Sequence, residues 1–123
     1  MSDDRRRFGQ DSEALAAELL RQKGYEIVTQ NWRTGTGEID IIARDRETLV
    51  FVEVKARRTR TFGNPKYAIS HKKQQKLSLT ALGYLKTTSQ LGSKARFDVV
   101  TLVFAGGSPE IEIVRNAFEF SCM

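Results

Sequence analysis

Asp40, Glu53 and Lys55 bring two carboxylates and an ammonium into one short stretch, with twelve residues between the acids and one between Glu53 and Lys55. Two carboxylates held near contact either repel until one takes a proton or share a cation, and a neighbouring ammonium can neutralise them or position a water. Whether these groups meet is decided by the elements that carry them.

Two strand-like runs, Glu38 to Arg44 and Leu49 to Lys55, flank Asp45-Arg46-Glu47-Thr48, which has the length and composition of a hairpin loop. Strand side chains alternate, so Glu38, Asp40 and Ile42 share one face, as do Leu49, Phe51, Glu53 and Lys55. With Arg44 opposite Leu49, Asp40 faces Glu53 and Glu38 faces Lys55, at Cβ separations of roughly 4.5–5.5 Å. The hairpin thus gathers three carboxylates and one ammonium. The other face is apolar throughout (Ile39, Ile41, Ala43, Val50, Val52, Val54), and the charged face is apolar at its turn end (Ile42, Leu49, Phe51). Strands apolar on both faces lie inside a covered sheet. The charges therefore sit at the rim of a buried sheet, where a metal or Lys55 must offset them. A solvated face of an ordinary amphipathic hairpin fits this pattern poorly.

At 123 residues and 40% apolar content, the chain is expected to fold as one domain with a real core. No apolar run reaches ~18 residues and the start, MSDDRRRFGQD, has no apolar stretch after its basic residues, so neither a membrane span nor a signal peptide is expected and the default location is cytoplasmic. A single cysteine, Cys122, and a single histidine, His71, argue against disulfides, cysteine zinc sites and histidine-dependent catalysis. The net charge of +5 is unevenly spread: residues 54–97 hold eleven lysines and arginines and no acid. An anionic partner accounts for that exclusion better than solubility alone.

Residues 1–9, with Arg5, Arg6 and Arg7, read as a flexible arm that either touches phosphates or is a solvated tail. Ser12 to Lys23 reads as a helix stopped by Gly24. Glu13 lies in its first turn, where it suits the helix dipole, yet it shares a face with Ala16, Ala17 and Leu20 and so can reach the sheet rim. Tyr25 to Thr29 reads as a strand and Gln30-Asn31-Trp32-Arg33 as a turn; Trp32 is expected to pack, while Arg33 is a candidate phosphate contact. After the hairpin comes ARRTRTFGNPK, a basic loop that places Arg57, Arg58, Arg60 and Lys66 near the acidic cluster. Ser70 reads as the N-cap of a long helix with Gln74, Leu77, Ala81, Tyr84 and Leu85 inward and Lys72, Lys73 and Lys76 toward solvent. Gln74 either reaches the acidic cluster or serves the helix start. Arg96 to Phe104 and Glu110 to Val114 complete the strands, the latter at an edge. The element order predicts an α/β sandwich with a mixed central sheet.

The pattern Asp40-(x12)-Glu53-x-Lys55 resembles the core of the PD-(D/E)XK nuclease superfamily. That resemblance implies that the two acids and the Val54 carbonyl hold Mg²⁺ while the lysine orients or activates water. Nearly the whole chain resembles the YraN-type family of small bacterial endonuclease-like proteins, close to archaeal Holliday junction resolvases. The resemblance is carried by Gly9, Glu13 and Ala16, Gly24-Tyr25, Asn31-Trp32-Arg33, Gly37-Glu38-Ile39-Asp40, Phe51-Val52-Glu53-Val54-Lys55, Phe62-Gly63, Lys73, Tyr84-Leu85 and Arg96-Phe97-Asp98-Val99-Val100. It implies a restriction endonuclease-like α/β/α sandwich, a single nuclease-like domain over residues 10–123, Glu13 as a third metal ligand, and a homodimer for junction cutting. Ile39 stands where the superfamily has its nominal proline, and Ser12 replaces a glycine common before the helix glutamate.

The expected activity is Mg²⁺- or Mn²⁺-dependent hydrolysis of a nucleic-acid phosphodiester, in DNA of structured or branched form. Asp40, Glu53 and Lys55 are its catalytic residues, Lys55 positioning water and stabilising the pentavalent state. Arg33, Arg57, Arg58, Arg60, Lys66, Lys72, Lys73 and Lys76 are candidate phosphate contacts, with Glu38 and Gln74 as auxiliary groups. The alternative is a module on the same scaffold that binds nucleic acid without cutting it, or a subunit that joins another protein to DNA.

Overall fold

The computed structural model describes residues 2–58 and 69–121. Helix α1 spans Ser2–Gln22 and so begins well ahead of Ser12. The expected flexible arm is, over residues 2–9, the first turns of this helix. Phe8 supplies the reason: its ring meets Phe104 edge-on at 5.1 Å, and Ser12 Oγ donates to the Phe8 carbonyl at 2.7 Å. At the other end Gly24, with φ +94°, takes the left-handed conformation, the Tyr25 amide donates to Leu20 at 2.9 Å and the Gly24 amide to Arg21 at 3.0 Å. This closes the free carbonyls of the last turn.

Five strands follow, β1 Glu26–Thr34, β2 Gly37–Asp45, β3 Thr48–Arg57, β4 Ala95–Val103 and β5 Glu110–Phe118, with α2 (His71–Thr87) between β3 and β4. They form one sheet in the order β1-β2-β3-β4-β5. Every neighbouring pair is antiparallel except β3 and β4, which α2 connects by crossing the sheet. The α/β/α sandwich with a mixed sheet is therefore the observed fold. The four residues expected to turn after Thr29 instead continue β1, with Asn31 at φ +54° interrupting its regular alternation. Ser70 caps α2 as expected, its Oγ accepting from the Lys73 amide at 3.1 Å.

Two cores lie on the two sheet faces. Under α1, Ala16, Ala17 and Leu20 meet Ile41, Ala43, Val50, Val52, Val100 and Leu102. Under α2, Leu77, Ala81, Tyr84 and Leu85 meet Ile39, Ile42, Leu49, Phe51, Phe97 and Val99. Trp32 packs here as expected, edge-on to Tyr84 at 5.2 Å. Ile39 was expected to share a face with Ile41 yet lies in the α2 core, so alternation breaks at Asp40, between them. That break marks the site.

Candidate active site

From the turn, β2 and β3 pair as expected, Asp45 with Thr48, Arg44 with Leu49, and on to Ile41 with Val52. There the ladder ends. β2 stays with β1, Glu38 beside Arg33, while β3 stays with β4 as far as Arg57 beside Val103. Asp40 fills the opening: its Oδ2 accepts from the Val54 amide at 2.8 Å. Because N–H and C=O of one strand residue project to the same side, the Val54 carbonyl points into this opening too.

Glu53, 8% exposed, is hydrogen-bonded to Asp40. Two buried carboxyls in contact need a proton or a cation between them. Burial, and then the Asp40 charge, push the Glu53 carboxyl up to about 8, against the opposing pull of Lys73. Asp40 is raised as well, by burial first, partly offset by its hydrogen bonds to the Val54 amide and to Glu53. Asp40 and Glu53 thus meet as the register predicts. They do so across parting strands rather than in a continuous ladder.

The predicted meeting of Glu38 with Lys55 does not form, because Glu38 is engaged by the guanidinium of Arg33 on the adjacent strand. Lys55 lies on β3 beside Thr101, where its charge favours ionised Glu53. Glu13, on α1, is raised by burial and then by the Asp40 charge, with a hydrogen bond to Asn31 opposing the shift. It therefore lies within reach of the Asp40 charge. Among the described residues, however, no three Asp, Glu, His or Cys side chains converge tightly enough to cage a metal. The donors at hand are the two carboxylates and the Val54 carbonyl. An all-oxygen set whose members repel one another suits a hard divalent cation such as Mg²⁺ or Mn²⁺.

Lys73, placed toward solvent by its sequence, instead reaches the site, with Nζ 3.8 Å from Glu53 Oε2. The signal was available: Lys73 precedes buried Leu77 by one helical turn and Ala81 by two, so it continues the inward stripe past the rim. Gln74 does not enter the site, since its Nε2 donates to the Ile69 carbonyl at 3.1 Å, a role at the helix start. Lys72 is exposed. Lys76 lines a cavity of about 90 Å³ with Lys73, Glu38 and Gly37. Gly37, at φ +154°, permits this close approach, because a Cβ there would stand 3.0 Å from Thr80 Oγ1. Arg58 stacks on Phe8 at 4.2 Å, and the Arg57 carbonyl accepts from the Phe104 amide at 2.8 Å. Arg60 and Lys66 lie outside the described residues.

On the α1 side a larger cavity of about 470 Å³ is bordered by Glu13 with Arg5, Arg6, Gln10, Asn31 and Arg33. Arg5 and Arg6 fall in the arm expected either to touch phosphates or to be solvated, but reading 1–9 as an arm hid that a helix presents them to this cavity, and reading 30–33 as a turn hid that Asn31 borders it.

Fold and site together define a restriction endonuclease-like α/β protein with a buried carboxylate pair at the point where its sheet splits. The model of the Uncharacterised protein family UPF0102 matches residues 12–102, and the chain belongs to that family. It is 49% identical over 119 residues to a UPF0102 protein of Desulfosudis oleivorans, covering 97% of this chain and 95% of that one. A UPF0102 protein of Geobacter metallireducens is 43% identical over 121 residues, covering 98% and 99%. One of Syntrophus aciditrophicus is 44% identical over 115 residues, covering 94% and 91%. Among the described residues no helix is long and apolar enough to cross a membrane.

Proposed function

We propose that this protein is a metal-dependent endonuclease that hydrolyses phosphodiester bonds of nucleic acid, DNA of branched or otherwise structured form being the preferred substrate. One observation carries the reading: the sheet opens between β2 and β3 where Asp40 takes the Val54 amide, and Glu53, Lys73 and Lys55 gather at that opening. Buried carboxylates in contact are costly for a fold that needs only a sheet. Two lysine charges bearing on them suit a site where an anionic substrate meets a divalent cation.

Asp40, Glu53 and the Val54 carbonyl would hold Mg²⁺ or Mn²⁺, with Glu13 approaching from α1. The bound cation supplies charge neutralisation at the phosphoryl group and a water of lowered pKa. The Val54 amide fixes the Asp40 carboxylate before any ligand arrives. Lys55 positions the attacking water and stabilises the negative charge that builds on the phosphoryl oxygens. Lys73 pulls the Glu53 carboxyl down against burial and the Asp40 charge, and is free to turn to a phosphate once a cation takes its place.

The same ion pair supports a second reading. Lys73 offsets Glu53 without a metal, as a scaffold that binds nucleic acid but does not cut it would require. Incubating the protein and its Asp40→Asn variant with labelled four-way junction, flap, single-stranded and duplex DNA, with and without Mn²⁺, separates the two. Metal-dependent cuts absent from the variant are expected. Binding of equal strength by both proteins with no cuts on any substrate would leave the binding module.

A further inference from the structure

We propose that Arg5 and Arg6, on the first turns of α1, form with Arg33 of β1 a phosphate-binding wall along which the substrate strand runs into the Asp40–Glu53 opening. The inference rests on the nucleic-acid reading above and adds to it the path of the strand.

Arg5, Arg6, Gly9, Gln10 and Glu13 border one cavity of about 470 Å³. Their spacing, i, i+1, i+4, i+5 and i+8, is that of one face of a helix. One end of that face is Glu13, whose carboxyl feels the charge of Asp40. The other end is the arginine pair, eight residues away and so about 12 Å along the helix axis. Arg33 and Asn31 of β1 complete the opposite wall. At about 3.4 Å of axis per phosphate on each strand, that length spans roughly three phosphates.

Two further features fit a binding groove. Both arginines are exposed, and no ion pair engages either of them among the described residues, whereas Arg96 is held to Asp45 and Asp98; Arg33 lines the groove together with Glu38, its ion-pair partner, and so supports the wall that Arg5 and Arg6 carry. Gly9 lies between them and Glu13, and a Cβ there would meet nothing within 4 Å, so the groove floor is open at that point. The turns that present the arginines are fixed from behind. Phe8 meets Phe104 edge-on and receives the guanidinium of Arg58 over its ring at 4.2 Å, on a side of α1 away from the groove. A solvated tail would need neither the aromatic anchor nor a groove that ends at the carboxylates. The α2 wall, with Lys73 and Lys76 beside the second cavity, lies across the opening, so the strand is gripped from both sides.

The test is fluorescence anisotropy with a fluorescein-labelled DNA four-way junction in EDTA, over a series of salt concentrations. Parent, Arg5→Ala/Arg6→Ala and Arg7→Ala would be compared, with circular dichroism and thermal melting to establish that α1 is intact. Arg7 does not border the groove. The double variant is expected to bind about tenfold more weakly at moderate salt, with a salt slope shallower by roughly two, while Arg7→Ala stays close to the parent. An unchanged slope and affinity in a folded double variant would overturn the proposal, as would an equal loss in Arg7→Ala. A parent that binds but never cuts would sink the nuclease reading and leave this one standing, since no turnover is measured here.

Discussion

The Asp40 carboxylate lies 2.8 Å from the Val54 nitrogen, so a side chain of β2 takes the hydrogen bond that the antiparallel ladder stops supplying after Ile41 and Val52. A sheet that opens in its interior normally leaves backbone groups unpaired, at a cost of about 1–3 kcal/mol each. Here the amide is satisfied by the carboxylate proposed above as a metal ligand. Fold and site therefore share one contact.

That sharing separates two substitutions at Asp40. Asp40→Asn keeps an acceptor for Val54 and removes a buried carboxylate charge, so the metal-free variant is expected to melt at or above the parent's temperature while losing Mn²⁺ binding and cleavage. Asp40→Ala leaves the Val54 amide without its partner and is expected to lose about 1–3 kcal/mol as well. Thermal unfolding alongside calorimetric Mn²⁺ titration reads both effects. Undiminished cleavage by Asp40→Asn would remove Asp40 from the mechanism.

The raised carboxyls give stability a definite slope with pH. Burial and the Asp40 charge hold Glu53 near 8, well above its ordinary 4.5, and burial raises Asp40 in the same direction. Between those values the folded chain binds more protons than the unfolded one, so stability is fully present at the acid end and is lost as pH rises through about 8. In EDTA the melting temperature should fall across that window, and Glu53→Gln should flatten the decline. Mn²⁺ competes with the same proton, so its stabilising effect should grow toward alkaline pH. A metal-free protein that gains stability from pH 6 to 8 would contradict the assignment.

How much of this was legible before the structure depends on which interaction decides each feature. The turn register followed from loop length and alternation, and it placed Asp40 against Glu53 correctly. What alternation could not convey was the break at Asp40 that sends Ile39 and Ile41 into different cores, because it depends on a tertiary contact with Val54. Helix α1 was legible where its apolar stripe begins and invisible over 2–9, where its anchor is the distant Phe104. Local charge density misled in another way. Within the basic stretch of residues 54–97, Lys73 reaches the site, while Arg96 is neutralised by Asp45 and Asp98 far from it.

Lys73 should tune Glu53 more than it holds the fold together. Its side chain is 44% exposed, so Lys73→Met is expected to change stability by less than about 1 kcal/mol. Without the ammonium, Glu53 is held still higher, so metal binding and cleavage should require more alkaline pH. A pH–rate profile of the variant displaced toward high pH is the signature; an unshifted profile with uniformly weaker DNA binding would make Lys73 a phosphate contact only.

Gly37 fixes how closely β2 approaches α2. At φ +154° it is in backbone territory that disfavours a side chain, and a Cβ would meet Thr80 Oγ1 at 3.0 Å. That hydroxyl is itself committed, donating to the Lys76 carbonyl at 2.9 Å. Gly37→Ala is expected to cost about 1–3 kcal/mol and to weaken cleavage by displacing Glu38 and Asp40 relative to Lys73. Adding Thr80→Ala should recover part of the loss, since it relieves the contact but not the backbone strain; denaturant melts of the three variants measure the recovery.

At the turn end of the sheet, Asp98 is fully buried and accepts from Arg96 Nε at 2.9 Å, from the Tyr25 hydroxyl at 2.7 Å and from the Asn116 amide at 2.9 Å. Arg96 also reaches Asp45 at 2.8 Å, so one guanidinium ties β4 to the β2 end of the hairpin. Arg96→Met would leave the Asp98 charge buried with only neutral donors, at a cost of about 3–5 kcal/mol. Tyr25→Phe removes one donor and should cost about 1.5–3 kcal/mol. Asp45 stands five residues from Asp40 along β2, about 16 Å at strand spacing, so cleavage per folded molecule should be unchanged in Tyr25→Phe. Measuring turnover well below the melting temperature of each variant distinguishes a fold contact from a site contact. A loss of turnover in fully folded Tyr25→Phe would mean that this network bears on the carboxylate pair through the strands that link them.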